Sequence, residues 1–242
     1  MDAADRIAGT RTTQSDQAGQ AGQDPADAEM LAALARVLNP GAFIVDVGAN
    51  EGQFIHALRS TVAIRAACLE PGANAFSRLR RSLEGVEGIE ALNVAASATT
   101  AHADFFISSS DVGSSLLRPV AGQHSAWART VAVERVRAVR LDELAETQQW
   151  PSIDLLKVDT QGSDLDVLTS AGSRLNGSSI GAVLVEVNFH NLYEGQESFG
   201  SICDHMESRG YFLAELFRRY NRLGWLWYAD ALFLPRTTRF AT

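Results

Sequence analysis

Val45-Asp46-Val47-Gly48-Ala49-Asn50-Glu51-Gly52-Gln53-Phe54, VDVGANEGQF, closes an apolar run with an acid and then places two glycines four residues apart. Glycines after a strand commonly make room for a nucleotide-like ligand. A dinucleotide site needs G-x-G-x-x-G, whose middle glycine admits a pyrophosphate, and Asn50 stands in that place. A P-loop needs G-x-x-x-x-G-K-[ST], and no lysine follows Gly52. What remains, D-x-G-x-x-x-G, leaves space beside the turn but provides no phosphate cradle. Taken alone, the glycines fit a tight strand-to-helix turn with no ligand at all, since glycine is the default residue of strained turns.

Working outward, Phe43 to Val47 reads as a buried strand and Phe54, Ile55 and Leu58 as a helix beginning near Gly52. Ile64 to Leu69 is a second strand ending at Glu70-Pro71. Phe76, Leu79 and Leu83 mark a helix stopped by Gly85, and Ile89 to Val94 is a third strand. Strand and helix in alternation predict a parallel sheet with right-handed crossovers. Upstream, Leu31, Leu34 and Leu38 predict a helix from Pro25, stopped at Asn39-Pro40-Gly41. Downstream, Ala103 to Ile107 and Val131 to Val139 read as strands around a long loop. The sheet pattern resumes with Ile153 to Asp159, a helix from Asp164 to about Ala171, and Ile180 to Val187. Phe199, Ile202, Cys203 and Met206 predict another helix. Tyr211 to Phe217 and Ala231 to Leu234, joined through Asn221 to Gly224, predict an antiparallel hairpin.

Residues 1–24 carry almost no large apolar side chain and are expected to be a flexible tail. Residues 25–242 are expected to form one domain with a lid-like insertion at about 100–140. The formal net charge of -8 argues against nucleic acid or an anionic membrane as the main partner. No apolar run approaches the about 20 residues of a membrane span, so no membrane insertion is expected. Cys68 and Cys203 lie in apolar patterns and are expected as buried free thiols of a cytoplasmic protein.

In open parallel sheets, ligands bind beyond the carboxyl ends of the strands. The polar residues there are Asp46 with Gly48 and Gly52, Glu70, Asn93 to Ser97, Asp159 to Asp164, and Glu186 to His190. Glu70 is placed to accept hydrogen bonds from two ribose hydroxyls, a feature shared by NAD and S-adenosylmethionine sites. The glycine pattern favours the ligand without a pyrophosphate.

The blocks FIVDVGANEGQF, CLEP, NVAAS, LDEL, IDLLKVDTQGSDLDVLTSA, LYEGQ and DALFLP follow one another in this order between about residues 41 and 235. In this the chain resembles the FkbM family of S-adenosylmethionine-dependent O-methyltransferases. The resemblance implies an α/β, Rossmann-like class I methyltransferase with a seven-stranded, mostly parallel sheet and an antiparallel C-terminal strand. It implies methyl transfer to a hydroxyl of a sugar, oligosaccharide or glycolipid, or of a polyketide or peptide natural product. It further implies that Asp46, Gly48, Ala49, Asn50 and Gly52 line the methionine part of the cofactor and that Glu70 holds the ribose. Asn93, Val94 and Ala95 would lie near the adenine, Asp159 at the amino-acid end or the methyl group, and Ser114 and Ser115 over the cofactor. Members often carry D-x-E-G-x-E where this chain has Asp159-Thr160-Gln161-Gly162-Ser163-Asp164. Gln161 cannot act as a base, and Asp164 suits the first turn of the following helix.

Methyl transfer to a hydroxyl needs aligned reactants and a group to take the proton. The candidates are Asp159, Glu186 and His190, with His124 in the long loop a weaker one. A magnesium ion held by Asp159, Glu186 and Asn188 is the alternative way to acidify the hydroxyl. Tyr220, Trp225, Trp227, Tyr228 and Trp127 could stack on a sugar, although hairpin packing accounts for at least two of the first four. The rival classes are an inactive cofactor-binding module, a dehydrogenase and a nucleic-acid methyltransferase. The last would want a basic stripe and an N/D-P-P-Y/F motif, neither of which occurs. A homodimer is compatible with the sequence.

Overall fold

The computed structural model describes residues 25–110, 112–120 and 129–238. Its elements begin with α1 (Pro25–Val37), β1 (Ala42–Val47), α2 (Gln53–Arg59), β2 (Ile64–Leu69), α3 (Ala73–Ser82) and β3 (Ile89–Leu92). Then come β4 (Ala95–Ala96), β5 (Ala101–Ser108), β6 (Thr130–Val139), α4 (Leu141–Thr147), β7 (Ile153–Val158) and α5 (Asp164–Ser170). The chain closes with β8 (Ile180–Asn188), α6 (Phe199–Ser208), β9 (Tyr211–Arg222) and β10 (Trp225–Pro235). The expected tail, and the part of the long loop carrying His124 and Trp127, lie outside the described residues.

Every residue of β1 is buried, which is why the strand reads as a continuous apolar run rather than an alternating one. The main sheet has seven strands in the order β3-β2-β1-β7-β8-β10-β9. β3, β2, β1, β7 and β8 are parallel; β10 runs antiparallel between β8 and β9. The predicted class I architecture and its C-terminal hairpin are therefore present, with both hairpin strands longer than the sequence pattern suggested.

One face of the sheet buries Phe43, Val45, Leu156, Val183 and Phe233 with Leu144, Val167 and Met206 of α4, α5 and α6. The other buries Ile44, Leu155, Leu184 and Leu232 with Leu34, Ile55 and Leu79 of α1, α2 and α3. Alternation along the strands puts Asp46, Lys157, Glu186 and Asp230 on this second face. Asp46 lies opposite Lys157, and Asp230 opposite Glu186. A row of charges thus replaces the apolar face one step before the sheet's carboxyl edge.

Two expectations are corrected and one helix is added. The predicted strand Ile89 to Val94 ends at Leu92, and the chain passes to a second sheet of order β4-β6-β5. The break falls at Asn93, whose Nδ2 donates to the carbonyls of Glu70 and Pro71 and so holds the neighbouring loop instead of extending the ladder. The helix α4 escaped the apolar-spacing reading because it has only seven residues, too few to display a helical stripe. Cys203 is half-buried, unlike Cys68, because α6 packs on the sheet with one face only.

Candidate active site

The β1–α2 turn takes left-handed backbone at Gly48, Asn50 and Gly52. Gly48 has φ +81, and a Cβ there would overlap the carbonyl oxygen of Asp159. The turn therefore sits against the end of β7, and Asp159 N donates to Val47 O at 2.9 Å. Gly48 N and Ala49 N both donate to Leu69 O, drawing in the end of β2. Asn50 adopts φ 47 and Gly52 φ 88 before α2 begins.

Glu70 follows directly. Its Oε1 accepts from Gly72 N at 2.8 Å and its Oε2 from Asn50 N at 3.0 Å. Burial pushes this carboxyl up to about 7, against the two backbone donors that favour its charged form. Val94 and Ala95 bury their side chains in the core, so only their backbone is available to an adenine.

Lys157 is the feature that sequence reasoning missed. Its Nζ lies 3.3 Å from Asp46 Oδ1 and 3.2 Å from Asp159 Oδ2, with the side chain 9% exposed. Burial opposes its charge, but Asp159, Asp46 and Asp230 raise its pKa above the ordinary lysine value. Burial raises Asp46, with Lys157 opposing. Burial would also raise Asp159, yet Lys157, a hydrogen bond from Gln161 and Arg218 hold it below the usual carboxylate range. The available signal was a lysine inside the apolar run IDLLKVD, because a buried charge requires partners.

Gln161 is the hub of the site. Its Nε2 donates to Asp159 Oδ1 at 2.9 Å and to Glu186 Oε1 at 2.7 Å. Its Oε1 accepts from the Tyr193 hydroxyl at 3.1 Å. Glu186 is raised well above the ordinary value by burial, Asp159, Asp230 and Asp164, with Arg218 opposing. Gln161 and Gly162 have φ 56 and φ 99, and a Cβ on Gly162 would come within 2.9 Å of the Tyr193 ring. Asp164 closes the turn by accepting from Thr160 N, Thr160 Oγ1 and Gly162 N, so it is structural, as its place in the first turn suggested.

The insertion is fastened to this hub. Ser115 Oγ donates to Gln161 O at 2.7 Å, and Ser114 Oγ accepts from Ser108 N at 3.0 Å. Tyr193 also donates to Gly113 O, and Pro119 bridges Tyr193. The serine pair ties the loop down by these bonds. His190 sits past β8 with its ring 4.7 Å from that of Trp227. Tyr220 and Tyr228 stack on each other at 4.8 Å and Arg222 lies over Trp227, whereas Trp225 is 69% exposed. Three of the four hairpin aromatics are thus engaged in packing.

The expected magnesium ion held by Asp159, Glu186 and Asn188 finds no support in this geometry. Among the described residues no group of three or more His, Cys, Asp or Glu could hold a metal ion. Asp159 and Glu186 do converge, but on the amide nitrogen of Gln161, a donor standing where a cation would have to sit. Asn188 is buried at the end of β8 and opposite Tyr228.

This geometry carries acceptors for a ribose diol at Glu70, an ionised carboxylate at Asp159 and a bare-backbone turn between them, with no phosphate cradle. Residues 46–213 match the methyltransferase FkbM domain. The chain belongs to this family, and it is an S-adenosylmethionine-dependent methyltransferase. It is 27% identical over 180 residues to the 2-O-methyltransferase NoeI of Sinorhizobium fredii (strain NBRC 101917 / NGR234), covering 70% of this chain and 72% of that one. An uncharacterized protein from Listeria monocytogenes serotype 4b shares the fold at TM-score 0.50 and 10% identity, over 88% of this chain and 70% of that one. TrmK of M. capricolum in complex with S-adenosylhomocysteine superposes at TM-score 0.49 and 11% identity, covering 85% and 67% of the two chains. S-adenosylmethionine fits the chemistry of these groups: Glu70 and Asp159 offer carboxylate acceptors and the Gly48 turn offers bare backbone.

Proposed function

We propose that the methyl group goes to a hydroxyl oxygen of a sugar, oligosaccharide or glycolipid, and that Glu186 takes the hydroxyl proton. The carrying observation is the amide of Gln161 between Asp159 and Glu186, which gives two neighbouring carboxylates different tasks. Asp159, held charged by Lys157 and Gln161, is an electrostatic partner for positive charge. Glu186, lifted by burial and by the acids around it, has the raised proton affinity that suits a general base near neutral pH. Bound S-adenosylmethionine supplies a methyl group on a sulfonium. The chain's own residues orient it: the Gly48 turn admits it and Glu70 holds its ribose. Asp46, buried behind Lys157, acts through that lysine, while Ala49, Asn50 and Gly52 shape the wall.

The 2-O-methyltransferase relative supports oxygen as the acceptor atom. Glu186, Asn188 and His190 follow one another at the carboxyl end of β8, and a polyhydroxyl acceptor would suit them, because each can hydrogen-bond a separate hydroxyl. The described part of the insertion at about 100–140 would serve as a lid over the acceptor, fastened through Ser115 and Tyr193.

The test is the pH–rate profile of Glu186→Gln, Asp159→Asn and His190→Ala with a saccharide acceptor. Loss of the base lowers kcat by about 100-fold or more and removes the acidic limb of the profile. That result with Glu186→Gln supports the assignment; the same result with His190→Ala alone transfers the role to His190.

A further inference from the structure

The β9–β10 hairpin runs past the carboxyl edge of the sheet. Tyr228 pairs with Asn188, the last residue of β8, and Phe189 N donates to Trp227 O. From there the hairpin continues to Trp225, about 10 Å further at the usual rise per strand residue. Its crest therefore stands beside the mouth of the active site.

The composition of the crest is at odds with both its place and its fold. Leu223 and Gly224 have φ 53 and φ 82 and join Arg222 to its partner Trp225, the combination of a type I′ turn. Asparagine, aspartate or glycine would be at ease at the first of these positions. A leucine there adopts a conformation that bulky residues avoid. It is also 79% exposed, beside Trp225 at 69% and Tyr220 at 46%. A strained leucine with nothing to pack against contributes nothing to folding, which points to a task outside the folded chain.

The charge of the same segment gives the occupant. Arg218 is ion-paired with Asp27 and Asp230, but residues 219–229 beyond it hold Arg219 and Arg222 and no Asp or Glu, in a chain of formal net charge -8. The whole-chain figure averages this segment away. Leucine and tryptophan at the tip, tyrosine and tryptophan behind them and arginines on the flanks match the layers of an anionic bilayer surface from acyl boundary to headgroups. A second copy of the chain is a poorer match, because a crest with two large exposed side chains is far below the roughly 800 Å² per partner of a stable interface. A saccharide would use the faces of Trp225 and Tyr220 but has no use for Leu223.

We propose that the crest of the β9–β10 hairpin is an interfacial anchor that docks this protein on anionic lipid, with the active-site mouth facing the membrane. Such docking is peripheral; among the described residues no helix is long and apolar enough to cross a membrane. It favours acceptors held at a bilayer by a lipid tail.

The test is co-sedimentation of the full chain with vesicles of phosphatidylcholine alone and of equal parts phosphatidylcholine and phosphatidylglycerol, at low and high salt. The proposal expects binding to the anionic vesicles that weakens with salt. Leu223→Asn with Trp225→Ser should lower the partition coefficient about tenfold or more while leaving the thermal midpoint unchanged or higher, since asparagine suits the turn. Arg219→Glu, which keeps the apolar tip, should weaken binding several-fold at low salt. Failure of the wild-type chain to bind the anionic vesicles overturns the proposal, as does equal binding by the double variant or equal binding to neutral vesicles. A wild-type dimer that the double variant dissociates, without vesicle binding, assigns the crest to a second copy instead. Vesicle binding is read without acceptor or turnover, so its failure leaves the assignment of Glu186 untouched.

Discussion

The Nε2 of Gln161 donates to Glu186 Oε1 at 2.7 Å while its second hydrogen engages Asp159. The family pattern often has an acid at this position. A third carboxylate there would face two others and could only be accommodated protonated. On the proposed mechanism Gln161 positions Glu186, so its substitution should act on kcat more than on cofactor affinity. Gln161→Ala is expected to lower kcat by about tenfold or more with the affinity for S-adenosylhomocysteine changed less than about threefold. Gln161→Glu should in addition move the acidic limb of the pH–rate profile upward. Steady-state kinetics across pH with parallel calorimetric titration would distinguish these effects from a general loss of structure.

Glu70 supplies a pH signature of its own. Its carboxyl is pushed from 4.5 to about 7 in the folded chain, chiefly by burial. Ribose hydroxyls donate to the ionised form, so cofactor affinity should rise with pH up to about 7 and level off above. Below that point it should fall by up to about tenfold per pH unit. Glu70→Gln should flatten the profile and weaken binding at pH 8. The sign for folding is the reverse. A carboxyl raised in the native state contributes stability that is present below its unfolded value and lost as pH rises through the folded one. Asp164 and Asp230, each raised to about 6 by burial, act in the same direction. The cofactor-free protein should therefore lose stability between about pH 4 and 7 from these three groups, a trend that denaturant unfolding across pH would measure.

Lys157 should be the most costly single side chain of the site to remove. Lys157→Met leaves Asp46, wholly buried, and Asp159 without their shared cation. Removing one partner of a buried pair typically costs about 3–5 kcal/mol, and urea unfolding would read it. Asp46→Asn should be milder, since Lys157 keeps Asp159.

Two left-handed glycines should respond differently to alanine. Gly210, at φ +84, has open space where a Cβ would go, so Gly210→Ala meets only the backbone penalty of about 1 kcal/mol. Gly162, at φ +99, has the Tyr193 ring within 2.9 Å of that position. Gly162→Ala should cost distinctly more and should loosen the contact between Tyr193 and Gln161. Comparison of the two unfolding midpoints checks this.

The sheet was legible in the sequence because its central strands are buried on both faces and read as predominantly apolar runs, as β1 and β7 do apart from Asp46, Asp154 and Lys157. The first glycine turn was legible because Asn50 and the missing lysine exclude two other cradles on chemistry alone. The hub was not. Gln161 appeared only as the loss of a carboxylate, since nothing in the order of residues reveals that its amide reaches Glu186, 25 positions away. Tyr193 lay in a recognised block, but its bond to Gly113 spans 80 positions and depends on the bare Gly162 beneath its ring. Asp159, Glu186 and Asn188 suggested a metal for the same reason: their places at strand ends told of nearness but not of the Gln161 amide between the two carboxylates. The hairpin crest was visible as four aromatics, while the strain at Leu223 became visible only with its φ.

The most direct test of the proposed chemistry is methyl transfer from S-adenosylmethionine carrying an isotopically labelled methyl group to a panel of free and lipid-linked saccharides, read by nuclear magnetic resonance. The account predicts a labelled methyl bound to oxygen on a sugar ring, stable to base, and lost from the product of Glu186→Gln. A label found only on nitrogen, or no transfer to any hydroxyl by a chain that binds S-adenosylhomocysteine, would contradict it.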